Sequence, residues 1–261
     1  LIQDKTKVEL GQGVGADIVN YAFNTIYNCF ARTAAFSPNG ADTKIRFRLA
    51  EYDPNGRKME EKGINRYSLS TSDLNNLNPE KIKNNPKICW DYKRYLNIWI
   101  VENMGNSVST PHYILNTADL NQIQGVSFEQ LSLEEIEKQE YSLTDIGLIY
   151  GARDFAIEDV GYPTQMGKFF GLLDTENQKE DYCEDTFAYN TYKEPWNTAL
   201  EGSNSRLKIS TDGLIFYSVN IMDASSYKNT ISMDQVKRIR TITDNCPHRW
   251  AWKSDWAFTG K

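Results

Sequence analysis

The chain has few of the residues that build a catalytic metal centre. Among its 261 residues there are only two histidines, His112 and His248. A zinc site requires three or four nitrogen, sulfur or carboxylate donors that converge at about 2.0–2.3 Å. The two histidines lie far apart in the sequence and cannot form a His-x-x-x-His pair. We therefore expect both to be structural residues rather than metal ligands.

Other absences exclude further classes of function. No stretch reaches the roughly 18 apolar residues that a membrane-spanning helix needs. The net charge is −6 and the pI about 5.1, so there is no basic surface for a nucleic acid. Gly-x-Ser-x-Gly and P-loop motifs are missing. The glycine-rich segment 11–15 lacks the preceding strand and the third glycine of a dinucleotide site.

The composition favours one globular domain over residues 1–261, since 40% of the residues are hydrophobic, 25% are charged and no repeat is present. Apolar spacing, capping residues and the fixed backbone of Pro163 predict helices over 14–31, 78–84, 132–139, 163–171 and 233–243. Alternating or continuous hydrophobicity predicts strands over 44–50, 95–101 and 146–150. Residues 52–93 otherwise read as loops.

The most informative segment is 162–175, which reads Tyr-Pro-Thr-Gln-Met-Gly-Lys-Phe-Phe-Gly-Leu-Leu-Asp-Thr. It resembles the metzincin motif His-Glu-x-x-His-x-x-Gly-x-x-His, in which three histidines bind the catalytic zinc. Gly171 matches the glycine of this motif. The three histidine positions hold Thr164, Lys168 and Asp174, and the position of the catalytic glutamate holds Gln165.

Other segments follow in the order found in one metzincin family. They are similar to its second strand and following loop (45–49, 53–56 and 63–66), its central strand (95–100), a Cys-x-Asp-Thr segment (183–186), the Met-turn (220–223) and the closing helix (234–240). The chain therefore resembles the pappalysin-like metzincin zinc metalloproteinases of the bacterial secreted-lipoprotein kind. This resemblance covers nearly the whole chain.

The resemblance implies an α/β (α+β) metzincin-like zincin fold, with a mixed twisted sheet and two long helices in an upper lobe of about 1–173. An irregular lower lobe of about 174–261 would contain the Met-turn at Met222. The strand with Gly147, Leu148 and Ile149 would be the exposed edge that pairs with substrate. The first strand would end near residues 1–2, with most of it missing.

The former active site lacks each part of zinc-protease chemistry. Thr164 is a poor ligand, the ammonium of Lys168 has no free lone pair, and Asp174 alone cannot hold zinc. Gln165 cannot exchange a proton as the catalytic glutamate does. Where the family has an oxyanion-stabilising tyrosine, this chain has Ala224. Lys168 either pairs with Asp174 in the old cavity or points to solvent, and both alternatives stay open.

We expect a catalytically inactive homologue that binds a peptide or protein in the former cleft, with no cofactor. One alternative is an active metallopeptidase with divergent ligands such as Asp174, His112 and Glu158 or Asp159. Another is a purely structural surface lipoprotein. Calcium at Asp185, with Asp181 and Glu184 nearby, is a weaker possibility than a solvated acidic loop.

The family also implies a Cys183–Cys246 disulfide and a periplasmic or cell-surface location. Cys29 and Cys89 would form a second bridge or stay thiols, and four free thiols are the alternative. Because Leu1 is not an initiator methionine, we expect a trimmed fragment whose lipid anchor lies outside it. Three tryptophans within 250–256 form either a binding patch or, as we favour, a tail that folds back on the lower lobe.

Overall fold

A computed structural model describes residues 1–5, 14–34, 40–156, 161–176, 180–189, 207–225, 228–255 and 257. The strands are β1 (Ile2–Asp4), β2 (Tyr67–Leu69), β3 (Asn97–Val101), β4 (Tyr113–Leu115), β5 (Glu129–Leu131), β6 (Gly147–Gly151), β7 (Leu207–Ile209) and β8 (Ile215–Tyr217). The helices are α1 (Ala16–Phe30), α2 (Thr71–Asn75), α3 (Pro79–Lys83), α4 (Leu133–Lys138), α5 (Ala152–Ala156), α6 (Tyr162–Phe169) and α7 (Met233–Asn245).

The central feature is a four-stranded sheet in the order β2-β1-β3-β6, in which each neighbouring pair is parallel. Side chains alternate between its two faces, as in any strand. Leu148 and Tyr150 of β6 pack with α1, α6 and α7 on one face. Trp99 of β3 and Ile149 of β6 pack on the other, and Trp99 is buried as predicted. The sheet is therefore covered on both sides at its centre.

The helix predicted over 14–31 is confirmed as α1, whose buried residues Ala22, Ile26 and Cys29 recur at helical spacing. The prediction at 132–139 is confirmed as α4, which begins with a capping box between Ser132 and Glu135. The predicted helices at 78–84, 163–171 and 233–243 correspond to α3, α6 and α7.

The strand predicted over 44–50 is wrong. Burial does alternate there, with Ile45, Phe47 and Leu49 turned inward and Arg46 and Arg48 exposed. However, this segment pairs with no strand of the sheet, and the neighbour of β1 is instead β2, which lies in the stretch read as loops. Alternation reports one buried face, whereas a strand also needs a hydrogen-bonded partner.

The first strand also differs from expectation. It does not end near residues 1–2 but runs over β1, where Ile2 pairs with both Tyr67 of β2 and Val101 of β3. Ile2 is 1% exposed and sits in the same cluster as Trp99. The sheet therefore keeps a short, buried member between β2 and β3.

The outer edge of β6 is not open along its whole length. Ser107 forms an antiparallel bridge with Ile149, with both N–H···O distances at 2.9 Å. The side-chain oxygen of Asn106 accepts a hydrogen bond from the amide of Gly151 at 3.0 Å. The predicted substrate edge of Gly147, Leu148 and Ile149 is thus covered at Ile149 by the chain itself, and the outermost piece of the sheet is the segment around Ser107.

The predicted Cys183–Cys246 disulfide is wrong, because all four cysteines are free thiols. The sulfur of Cys183 contacts the carbonyl of Asp181 at 3.6 Å. Cys246 is buried in a separate apolar cluster that includes Ile114 and Ile242. Their different surroundings explain why the two sulfurs do not meet.

The C-terminal segment folds back as predicted, but it packs on the upper lobe (about 1–173) as well as on the lower lobe. It forms a 3₁₀ turn, Pro247–Lys253, in which buried Arg249 donates hydrogen bonds to the carbonyls of Phe169, Asp145 and Ser109. Trp252 donates to the carbonyl of Thr243 at 3.2 Å. Within its described part the tail is a packed element of the fold, while Trp256 and Phe258 lie outside the described residues. In the described parts of the chain no helix is both long and apolar enough to cross a bilayer.

Candidate functional site

The candidate site is built on α6, which packs against α1 beneath the sheet. Pro163 occupies the first turn, where its missing N–H costs nothing. The helix ends after Phe169, and Gly171 follows with φ +83°, a conformation that side chains with a Cβ rarely adopt. The sequence therefore predicted both ends of this helix to within two residues.

The turn that contains Met222 lies directly against α6. A Cβ added at Gly167 would meet the Met222 sulfur at 2.8 Å, so a larger residue there would displace the Met222 side chain. Thr164 donates a hydrogen bond from its hydroxyl to the carbonyl of Ile221 at 2.5 Å. The predicted position of Met222 beneath the helix is thus found, although its assignment as a Met-turn stays a prediction.

Two of the three residues that the sequence analysis aligned with metzincin histidines form an ion pair. Lys168 Nζ lies 2.9 Å from Asp174 Oδ2, and their side chains are 30% and 31% exposed. Lys168 therefore takes the ion-pair alternative and does not point freely to solvent. Among the described residues the side chain of Gln165 has no hydrogen bond, so it does not join this pair.

A second lysine, which belongs to no motif identified in the sequence, enters the same site. Lys228 donates from Nζ to Thr164 Oγ1 at 3.0 Å and to the carbonyl of Asp223 at 2.7 Å. Burial lowers the pKa of Lys228, and the nearby carboxylates of Asp223 and Asp174 oppose that shift. The site therefore holds two ammonium groups close to one another.

Asp223 anchors the floor of the site. Its carboxylate accepts hydrogen bonds from the hydroxyls of Thr175 and Ser218, the latter at 2.7 Å. Burial raises the pKa of Asp223, and these hydroxyls and Lys228 act in the opposite direction. The carboxylate is therefore a buried acceptor at the centre of a hydrogen-bond network.

Ala224 aligns by sequence resemblance with a tyrosine of the family, and a tyrosine hydroxyl contacts its backbone from elsewhere in the chain. Tyr189 is fully buried, and its hydroxyl accepts a hydrogen bond from the amide of Ala224 at 2.6 Å. Burial raises the pKa of Tyr189 well above its usual range. The hydroxyl is thus a neutral structural group that holds the backbone of the turn.

These residues do not fit a catalytic zinc ion. Thr164 already binds the ammonium of Lys228, and Asp174 is neutralised by Lys168. An ammonium has no lone pair to donate and repels a dication. In the described parts of the chain no three His, Cys, Asp or Glu side chains come close enough to hold a metal ion together.

The divergent ligand set considered from the sequence is not assembled in the described residues. His112 is exposed and lies 3.9 Å from Glu129, away from the Lys168–Asp174 pair. His248 is buried among the rings of Tyr92 and Tyr141, consistent with a structural role. Glu158 and Asp159 lie outside the described residues.

The carboxylates of the acidic loop considered for calcium form hydrogen bonds within the protein. Asp185 accepts hydrogen bonds from the Ser232 hydroxyl at 2.6 Å and from the amide of Asp234 at 3.0 Å, at the start of α7. Asp181 accepts from the Thr186 hydroxyl at 2.8 Å. Both carboxylates tie this loop together and to α7, where a negative charge also favours the helix N-terminus.

Comparison with known proteins gives a match at the level of structure. No protein-family model matches the chain, and no curated protein matches it by sequence. Mature mirolysin from Tannerella forsythia in complex with a cleaved peptide is similar, with a TM-score of 0.57, 18% identity, and coverage of 98% of this chain and 94% of that one. Mirolysin in complex with a small compound gives a TM-score of 0.58 at 18% identity, covering 99% and 95% of the two chains.

A point mutant of Tannerella forsythia promirolysin is also similar, with a TM-score of 0.55 at 18% identity over 96% of this chain and 82% of that one. Mirolysin is a metzincin-type metalloprotease. The likeness covers both halves of the chain and includes the parallel sheet described above. The chain therefore has the α/β fold of the metzincin zincins.

Proposed function

We propose that this protein is a catalytically inactive metalloprotease homologue that binds a peptide or protein in the former active-site cleft. The observation that carries the proposal is the Lys168–Asp174 ion pair on a metzincin fold. It occupies two of the three positions at which the family binds zinc. An enzyme of this class needs those positions to be free lone-pair donors.

The chemistry of the remaining residues supports the same conclusion. Without a metal ion, water keeps a pKa near 15.7 and is not a nucleophile at neutral pH. Gln165 has no carboxylate with which to take a proton from it. Tyr189, which contacts the position of the missing oxyanion-stabilising tyrosine, is buried and already hydrogen-bonded to Ala224. Three separate functions of the catalytic site are therefore missing from the same cavity.

The peptide would bind to the outermost segment of the sheet rather than to β6. Ser107 turns its own amide and carbonyl toward Ile149, so the backbone groups of the next residue, Val108, point the other way. Among the described residues, neither the amide nor the carbonyl of Val108 has a hydrogen-bond partner. An extended peptide would satisfy them by adding one more strand.

The first experiment tests the absence of catalysis. The purified protein is analysed for bound metal and incubated with a peptide library at neutral pH, with and without a chelator. We expect no stoichiometric zinc and no cleavage. Stoichiometric zinc together with cleavage that the chelator abolishes would establish an active metallopeptidase and overturn the proposal.

The second experiment tests peptide binding. Immobilised protein is panned against a displayed peptide library, and the selected peptides are measured against Val108→Pro, which removes the amide donor at the sheet edge. The same substitution at Val126, in another loop whose amide makes no hydrogen bond, is the matched control. We expect binding to weaken at least tenfold in Val108→Pro only. Failure to select any peptide would favour a purely structural protein.

With all four cysteines free, the proposed periplasmic or cell-surface location is supported by the family resemblance alone. A fusion of the full-length gene product to a reporter that is active only outside the cytoplasm tests it. Activity of the reporter would support export, whereas labelling confined to the cytosolic fraction would contradict it.

A further inference from the structure

Lys228 reaches the former metal site from a loop outside the helix that carries Thr164 and Lys168. It comes from the loop that follows the turn of Met222 and reaches across to the first ligand position on α6. Its ammonium lies 3.0 Å from Thr164 Oγ1 and 2.7 Å from the carbonyl of Asp223. Thr164 in turn donates to the carbonyl of Ile221. Three groups on two elements are therefore linked through one positive charge.

The hydrogen-bond directions in this arrangement are self-consistent. The hydroxyl of Thr164 has one proton, which it donates to Ile221, and its lone pairs remain to accept from Lys228. An ammonium has three protons and no lone pair. Two of its protons are used by Thr164 and the carbonyl of Asp223, and the carboxyl group of Asp223 lies close by.

Each lysine of the site has acidic residues close to it. Lys168 pairs with Asp174, and Lys228 lies in the field of Asp223, Asp174 and Glu176. A dication placed among the same groups would meet two ammonium charges at short range, and at about 4 Å such a repulsion is several kcal/mol at an effective dielectric of 20. The residues of the site therefore favour the ammonium of Lys228 over a bound metal ion.

We propose that the ammonium of Lys228 takes the place of the metal ion as the cation that ties α6 to the turn of Ile221–Asp223. Lys228 then excludes divalent metals independently of the residues at the ligand positions. Restoring the three histidines is not sufficient to restore zinc binding while Lys228 is present. The inference rests on the proposed function only for the assignment of Thr164, Lys168 and Asp174 to former ligand positions.

The experiment compares zinc affinity in two backgrounds. The triple variant Thr164→His, Lys168→His, Asp174→His is prepared with Lys228 intact and with Lys228→Met, which keeps the length of the side chain but removes its charge. Zinc affinity is measured by competition with a chromophoric chelator. We expect zinc to bind at least 100-fold more tightly when Lys228 is replaced. Equal affinity in the two backgrounds would overturn the inference.

Lys237→Met in the same triple variant is the matched control, because Lys237 is an exposed lysine near the start of α7 and lies outside the cavity. We expect it to leave the zinc affinity unchanged. An increase equal to that of Lys228→Met would mean that net charge, and not the position of the ammonium, controls the affinity, and would also overturn the inference.

A second measurement uses the otherwise natural protein and needs no designed metal site. Lys228→Met removes the cation beside the buried Asp223, so we expect its melting temperature to fall by roughly 5 °C. Lys237→Met is expected to stay within about 1 °C of the natural protein. A Lys228→Met variant as stable as the natural protein would refute the bridging role, even if neither triple variant bound zinc. The proposed function fails on a different result, namely zinc-dependent cleavage by the natural protein.

Discussion

His248 makes the stability of this protein sensitive to acid. It is 4% exposed, and its ring lies 5.4 Å from that of Tyr92, 5.8 Å from that of Tyr113 and 5.2 Å from that of Tyr141. Burial, with a smaller contribution from the charge of Arg249, lowers the pKa of His248 from 6.5 to about 4. The folded protein therefore holds this histidine neutral at a pH at which the unfolded chain would bind a proton.

The direction and size of the effect follow from this difference. Between pH 6.5 and 4 the unfolded state binds more protons than the folded state, so the free energy of unfolding falls as the pH is lowered. From these two pKa values, linkage predicts that the free energy of unfolding decreases by about 2 kcal/mol between pH 7 and 5. By pH 4 the decrease reaches roughly 3 kcal/mol. Well above pH 6.5, at about pH 8, the histidine is neutral in both states and contributes no pH dependence.

Urea unfolding at pH 7 and pH 5 measures the loss. The natural protein is compared with His248→Phe, which keeps an aromatic ring in the pocket but cannot bind a proton. Carboxylates also titrate near pH 5, so the difference between the two proteins isolates His248. We expect the free energy of unfolding of the variant to fall by about 2 kcal/mol less than that of the natural protein.

His112→Phe is the matched control, because the side chain of His112 is 46% exposed. We expect this variant to keep the pH dependence of the natural protein. If His248→Phe lost as much free energy of unfolding between pH 7 and 5 as the natural protein, the low pKa of His248 would be wrong, and with it the view that its pocket excludes charge.

Three further predictions concern the framework of the site. Gly171→Ala should lower the free energy of unfolding by about 1–3 kcal/mol, because φ is +83° and the new Cβ would lie 2.9 Å from an isoleucine side chain; Gly56→Ala, at φ +76° with open space around it, should cost less. Asp185→Asn should weaken the start of α7 by about 1 kcal/mol in urea unfolding, and an unchanged midpoint would contradict the contact with Ser232. Cys183 and Cys246 should both map as thiols in non-reducing peptide analysis, whereas a linked peptide pair would restore the disulfide.

The parts of the fold that the sequence predicted are those with local signals. Helix α1 follows from a single apolar stripe, and α6 follows from the geometric demands of Pro163 and Gly171 at its ends. The capping box at Ser132 set the start of α4 in the same way. In each case the residues that determine the structure lie within one element.

The predictions that failed needed information about partners distant in the sequence. Burial alternates over 44–50, as it would in a strand, yet the neighbour of β1 is β2. In the same way, the sequence gives no indication that Cys246 lies in an apolar cluster that does not include Cys183. A single sequence reports which faces are buried but not which segment lies across from them.

The residues of the site also divide into those with a local sequence signal and those that depend on distant parts of the chain. The motif identified Thr164, Lys168 and Asp174 because they stand at fixed spacing in one segment. Lys228 and Tyr189 come from outside that segment and have no spacing that would mark them, although both contact the turn of Asp223 and Ala224.

Magnitudes indicate what holds the site together without a metal. A partly exposed ion pair such as Lys168–Asp174 contributes about 0–1 kcal/mol, and each neutral hydrogen bond about 1 kcal/mol. Structural zinc in small domains contributes about 10–16 kcal/mol, so these contacts do not replace it in energy. The stability of α6 must come instead from its buried face, where Met166 and Phe169 are 1% and 2% exposed within the main core. Burial of such side chains contributes about 1.5–3 kcal/mol each, without any requirement for a bound ion. The charged groups then determine what the cavity can bind, while the apolar core determines that the cavity exists.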